Sequence, residues 1–411
     1  MFLKSITLAG AVSLLGSTAM AGCGIEAGNI SILSNDFPAI QAVSAAAAEC
    51  GGDGIAVDTN LTQDHKDIMV AALTANPAQY ASVIVSNSTL VTLMNDGLVR
   101  SLDDLVAKHG AGLRDSQLIT VDGKVMAVAF MANSQHLFSR TDVLEQAGVD
   151  GIPKTYEEVI DAAKAIRAAG IMEHPVALNT GAGWNLAEEF VNMYMGTGAS
   201  FFAPGTAQAA INNANGVATL EMLKSLVEYS NPDYLTFDSN ATQAAWEAGD
   251  LALATMWGSR GGAILDAEGS TEDVTSGTVL TGAPSWGEGT RPASTLWWDG
   301  IAISTNVSDE DAEATFIALM NGISTDVVKA NNDAAVWLVD GYEPSPASAG
   351  VAETAAGGAA PYPMLPFMGA LHTALGDEIS DFLQGTESAE QALADVEAAY
   401  TAAATEQGFL K

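Results

Sequence analysis

Between residues 30 and 105 the apolar positions follow two rhythms. Ile30, Ile32 and Leu33 break only at Ser31 and predict a first strand over 30–33, and the Ala-rich stretch 40–49, stopped by Gly51 and Gly52, predicts a helix. The apolar run 55–57 reads as a second strand, 64–74 as a helix and the β-branched run 81–85 as a third strand. Leu90, Leu93 and Met94 then share one helical face. Residues 123–130 make a turn leading into a buried strand. A long helix is expected over 155–169, with Thr155 as its N-cap and Glu157 and Glu158 in its first turn, where carboxylates favour the positive helix end. Further helices are expected over 186–195, 216–229, 241–248, 309–321, 370–383 and 389–404. Strands alternating with helices argue for an α/β protein with a mostly parallel sheet, and ligands of such sheets sit beyond the carboxyl ends of the strands.

The first 21 residues belong to none of these elements. Lys4, an apolar stretch over 6–16 and the small-residue stop Ala19-Met20-Ala21 read as a secretory signal peptide, so a mature chain beginning at Gly22 and a periplasmic location are expected. Roughly 390 residues then remain, which suits two lobes. Fifty acidic against 15 basic residues give a net charge of -35, which excludes nucleic acid as a partner because phosphate binding needs a basic footprint. The imbalance is read as solubility in a saline medium. Cys23 and Cys50 are the two cysteines. One precedes the first strand and the other ends the following helix, at the same end of the predicted sheet, so a disulfide between them is expected. The alternative is a lipoprotein box over 20–23 with Cys23 acylated and Cys50 a free thiol.

Four stretches in order resemble the sugar-binding class of periplasmic solute-binding proteins that serve ABC importers, the maltose-binding-like family. They are Asp122-Gly123-Lys124 through Phe130 with the following 137–144, Pro153-Lys154-Thr155-Tyr156-Glu157-Glu158, the helix, turn and strand of 245–258 ending near Trp257, and the C-terminal 385–393. The resemblance implies a two-lobe periplasmic-binding-protein fold with crossings near 131–135 and 292–296. It places 22–131 and 295–338 in an N-terminal lobe and 132–294 and 339–411 in a C-terminal lobe. The cleft between them would close on a carbohydrate by hinge motion, without breaking a bond, and deliver it to a membrane-embedded permease. A monomer without cofactor is expected.

Sugars present an apolar C–H face and a rim of hydroxyls, so aromatic platforms ringed by planar polar groups are the chemistry to look for. Against the implied crossings, the candidates are Trp297, Trp298 and Asp299, of the two indoles one packing and one binding. Trp184 with Asn185, and Trp257 with Arg260 three residues on, stand where the family puts ligand-facing aromatics. Asn133 and Gln135 occupy the first crossing. Asn35 and Asp36 follow the first strand, Asn87 the third, and Asp64 and His65 begin the second helix. Helix capping is the plainer role for Asn35, Asp36 and Asp64. Phe367 lies in a loop that resembles the one before the family's closing helices. Trp246 and Trp337 fall within helical patterns and are read as core, while Trp286 is left open.

No Cys/His spacing suits zinc, and no phosphate-cradling glycine loop or nucleophile elbow occurs. An enzyme is therefore not expected. Arg260 keeps an acidic sugar open as ligand beside a polyol or phosphorylated polyol, and a secreted glycoside hydrolase or a chemoreceptor-docking sensor would use the same tryptophans.

Overall fold

The computed structural model describes residues 23–52 and 54–411 and comprises two sheets covered by helices. The expected signal peptide lies outside the described residues. The larger sheet is built from β1 (Ile30–Ser34), β2 (Val57–Leu61), β3 (Ser82–Ser86), β4 (Leu118–Val121) and β5 (Lys124–Asn133). The smaller sheet takes β6 (Gln135–Arg140), β7 (Val176–Ala177), β8 (Leu253–Trp257) and β9 (Thr278–Thr281), after which β10 (Thr295–Ile303), β11 (Val336–Trp337) and β12 (Ala360–Pro361) return to the larger one. Only Ser134 separates β5 from β6, so the chain changes sheets across a single residue. It crosses back between Thr281 and Thr295.

In the larger sheet the order is β11-β5-β10-β3-β1-β2, with β4 and β12 paired to β5 and β10. Successive strand residues point to opposite faces, and here both faces are buried. Ile30, Ile32, Ile84, Ile301 and Ile303 enter one core with Ile40, Val43 and Phe316 from the helices Pro38–Ala48 and Asp309–Gly322. Leu33, Val83, Val85 and Ala302 enter the other, with Met69, Leu90 and Leu93 from His65–Thr74 and Asn87–Asn95. The second sheet likewise divides Leu137 and Leu253 from Phe138, Ala254 and Leu280.

Three expectations need correction. The sheets are mixed rather than mostly parallel: β10 runs antiparallel to β3 and β5, and β6 runs antiparallel to β8 and β9. The second strand covers 57–61, not 55–57. It is the edge strand, paired on one side only, in parallel register from Ile30↔Val57 to Ser34↔Leu61, and most of its residues are exposed, so the apolar run next to it is a misleading guide. Trp337 lies in β11 rather than in a helix, although it is core as expected, donating Nε1–H to the Asn331 carbonyl at 2.9 Å. Thr155 caps its helix by accepting from Glu158 N–H at 3.2 Å. Trp246, also core, donates to Thr278 Oγ1 at 3.1 Å. Cys23 and Cys50 are bonded, with Cα atoms 5.0 Å apart. Among the described residues no helix is long and apolar enough to cross a membrane.

Candidate functional site

Strand direction decides what reaches the cleft. The parallel strands β1 and β3 end at Ser34 and Ser86, and Gln63 to Asp67 follow β2. Because β10 runs antiparallel to both β3 and β5, its first half lies at this same end, with Asp299 opposite Ser86 and Trp297 opposite Asn133. Trp297 and Asp299 are two apart and share a face, whereas Trp298 points the other way into the core beside β1 and β3. From the second sheet, Trp257 ends β8, and Trp184 and Asn185 open the helix Trp184–Gly196 after Gly183, whose φ of +89° suits glycine.

Together these residues line a cavity of about 550 Å³. Of the residues named from the sequence, Asn35, Asp64, His65, Asn133, Trp184, Asn185, Trp257, Arg260, Trp297 and Asp299 line it. Five do not. Asp36 accepts from Gln41 Nε2 at 2.8 Å beside it. Asn87 is buried and clamps β10, accepting from Trp298 N–H at 3.0 Å and donating to the Leu296 carbonyl at 3.4 Å. Gln135 is buried against Glu189, Trp298 is half-buried against the core beside β1 and β3, and Phe367 packs edge-on against Phe202. The capping role is not realised for Asn35 or Asp64: the first helix is capped by position at Phe37, and Asp64 stands at the second N-cap without a side-chain bond.

One wall is aromatic. Trp184 and Trp257 stack with centroids 6.4 Å apart, and Trp297 meets both edge-on at 5.6 and 5.8 Å. His372 stacks on Trp184 at 4.8 Å, its Nε2 2.9 Å from the Trp184 carbonyl and its Nδ1 3.0 Å from Tyr362 Oη. Burial draws its pKa down to about 3, so a neutral ring supports the indole.

Beneath this wall lie carboxyls that the sequence reading missed. Glu188 is fully buried, and its Oε1 accepts from Thr295 Oγ1 at 2.7 Å and Trp297 Nε1 at 3.0 Å, while Oε2 has no partner. Glu189 accepts from Asn179 N–H at 3.0 Å. Burial raises both carboxyls to about 8. The available signal was two adjacent glutamates on a helix otherwise rich in Leu186, Ala187, Phe190 and Val191.

Lys66 was also missed. It is the second residue of its helix, at the end where the backbone dipole disfavours a cation. Its Nζ sits 3.0 Å from the centre of the Trp184 ring, and burial lowers its pKa to about 7. Asp299 is raised to about 7, again by burial, and His65 is drawn down to about 3. Arg260 is only 7% exposed, donating from Nη1 to Gln243 Oε1 at 3.1 Å and leaving its buried Nε without a partner. Asp67, Asp238, Ser239 and Ser259 complete the polar lining. No three His, Cys, Asp or Glu side chains among the described residues converge as metal ligands. The arrangement suits a neutral or weakly charged polyhydroxylated solute: indole faces for C–H groups, and amides, carboxyls and one guanidinium for hydroxyls.

The sequence pattern of bacterial extracellular solute-binding proteins matches residues 38–323. A probable ABC transporter-binding protein of Deinococcus radiodurans is 24% identical over 209 residues, and the match takes in 49% of this chain and 49% of the relative, so the chain spans about half the length of the curated relative it matches. Among solved structures, maltose-bound MalE3 of T. maritima superposes with a TM-score of 0.79 at 17% identity, covering 92% of this chain and 100% of the other. A solute-binding protein of Agrobacterium radiobacter K84 in complex with ribitol does so with a TM-score of 0.79 at 21% identity, covering 92% and 99%. At these identities the likeness establishes the two-lobe fold.

Proposed function

The chain belongs to the family of bacterial extracellular solute-binding proteins, and from that premise we propose that its cleft captures a carbohydrate and delivers it to an ABC-type membrane permease. The observation that carries the choice of ligand is the three-tryptophan wall facing amide, carboxyl and guanidinium groups across one cavity. An apolar solute would leave those polar groups unpaired, and a small ion would leave the indoles unused. The solved relatives with maltose and ribitol bound support the reading, and the second makes a polyol the runner-up.

In this reading the lobes are 22–131 with 295–338 and 132–294 with 339–411. They close about Ser134 and the 282–294 segment, and the ligand leaves unaltered. Export by the signal peptide places the protein outside the cytoplasmic membrane, as a monomer that meets its permease there.

The test is thermal unfolding of the mature protein against sugars, polyols, sugar acids and phosphorylated polyols. A ligand at about 100 times its dissociation constant adds about 2.7 kcal/mol of stability. A shift confined to one carbohydrate class is expected. Silence towards every carbohydrate and polyol, or turnover of aryl glycosides, would overturn the proposal.

A further inference from the structure

A second cavity, of about 650 Å³, lies on the far side of the Lys66–Trp184 contact from the first. The two share Lys66, Asp67 and Trp184 among their lining residues. The far cavity also carries polar side chains: Ser88, Thr92 and Asn95 line it from the helix Asn87–Asn95, and Thr373 lines it from the helix Met368–Leu383. A cleft equipped on both sides of one contact would hold an extended chain if that contact were open. It is closed, because an ammonium nitrogen 3.0 Å from the centre of an indole leaves no gap between them for a sugar ring.

From this geometry we propose that Lys66 determines ligand length, barring the cleft against Trp184 so that the bound carbohydrate is a monosaccharide, alditol or disaccharide confined to the first cavity. The proposal rests on the carbohydrate reading of the cleft. Three features hold the bar in place. The ring face attracts the cation. Asp299, when ionised, attracts the ammonium, whereas burial keeps Glu188 protonated up to about pH 8. His372 stacks on the same indole with centroids 4.8 Å apart, so Trp184 is held by a packed partner. Lys66 also stands in the first turn of its helix, where intrinsic preference favours an acid. A residue that breaks a local rule at a ligand cleft is the kind that function retains.

The experiment compares the wild-type protein with Lys66→Ser and Lys66→Arg. Binding is measured by thermal shift and calorimetry for gluco-, manno-, xylo- and chito-series carbohydrates, each from monomer to tetramer, with the matching alditols. The expected result is that wild type binds monomers or dimers of one series. Lys66→Ser then gains trimers and tetramers, shifting the affinity ratio of tetramer to monomer by at least about tenfold, while Lys66→Arg, which keeps the charge and the bulk, retains the wild-type preference. Equal affinity of wild type for tetramer and monomer would overturn the bar and leave the carbohydrate reading standing. Silence of all three proteins across the series would overturn the carbohydrate reading instead. The bar is then decided without any ligand by acrylamide quenching of the Trp184 fluorescence, taken as the difference from a Trp184→Phe background. Greater quenching in Lys66→Ser supports an obstructed cleft, and unchanged quenching overturns it.

Discussion

The two walls of the cleft are made of different material on different foundations. The wall from the larger sheet is a row of strand ends and turns, with Gln63 and Asp64 open to water and Asn35 and Ser86 half-buried beside them. The wall from the smaller sheet and its helices carries Trp184 and Trp257 and, with Trp297, rests on a dry floor of Glu188, Glu189, Thr295 and Asn192. Thr295 Oγ1 approaches both Glu188 Oε1 and Asn192 Oδ1 at 2.7 Å, so the indoles are positioned by a buried network. A loop-borne hydrogen-bonding group trades partners with water at little net gain, whereas a buried indole face offers contact area that water cannot match. The comparison teaches that affinity should reside in one wall and discrimination between hydroxyl patterns in the other.

The largest effect should come from the floor. Glu188 has its folded pKa raised to about 8, so the folded protein holds a proton that the unfolded chain releases near the ordinary carboxyl value. Between those two pH values the folded state binds more protons, and stability therefore falls as pH rises. Glu188→Gln mimics the protonated form. It should match wild type below about pH 4.5 and exceed it increasingly up to pH 8, by on the order of 5 kcal/mol, in denaturant titrations run at several pH values. A constant offset at all pH values would show that the floor does not titrate as described.

Next in size is the aromatic wall. Trp257→Ala should weaken the cognate solute by on the order of 2 kcal/mol, or about thirtyfold in calorimetry, with Trp257→Phe recovering most of it because a ring face remains. Smallest is the polar wall, where Asn35→Ala should cost about 1 kcal/mol and change the ranking of epimeric sugars more than the best affinity. An Asn35→Ala loss exceeding that of Trp257→Ala would reverse the comparison.

Much of the arrangement was readable along the chain. The strands 30–33 and 81–85 and the long helices announce themselves by period, because each buries a continuous apolar face whichever partner covers it. Ligand positions beyond β1 and β3 follow from the parallel-sheet rule, and the family-like motifs pointed to Trp184, Trp257 and the β10 tryptophans. Lys66 was not readable, since a lysine in a first turn is ordinarily a solvated one. Nor could Asn87 be told from a ligand contact: its amide is used up on the backbone of β10, a strand more than two hundred residues later.

By itself the sequence determined which segments form elements, the strongly acidic balance, and the residue types available to hold a polyhydroxylated solute. The tertiary structure alone decided which of two adjacent indoles faces the cavity, because the antiparallel register of β10 against β3 and β5 sets which face of the strand lies inward. It alone set the ionisation of Glu188, Asp299 and Lys66, since a pKa responds to burial by distant segments rather than to chain neighbours. It also brought a lysine of the helix His65–Thr74 onto a tryptophan of the helix Trp184–Gly196, a contact between positions 118 apart that no local pattern encodes.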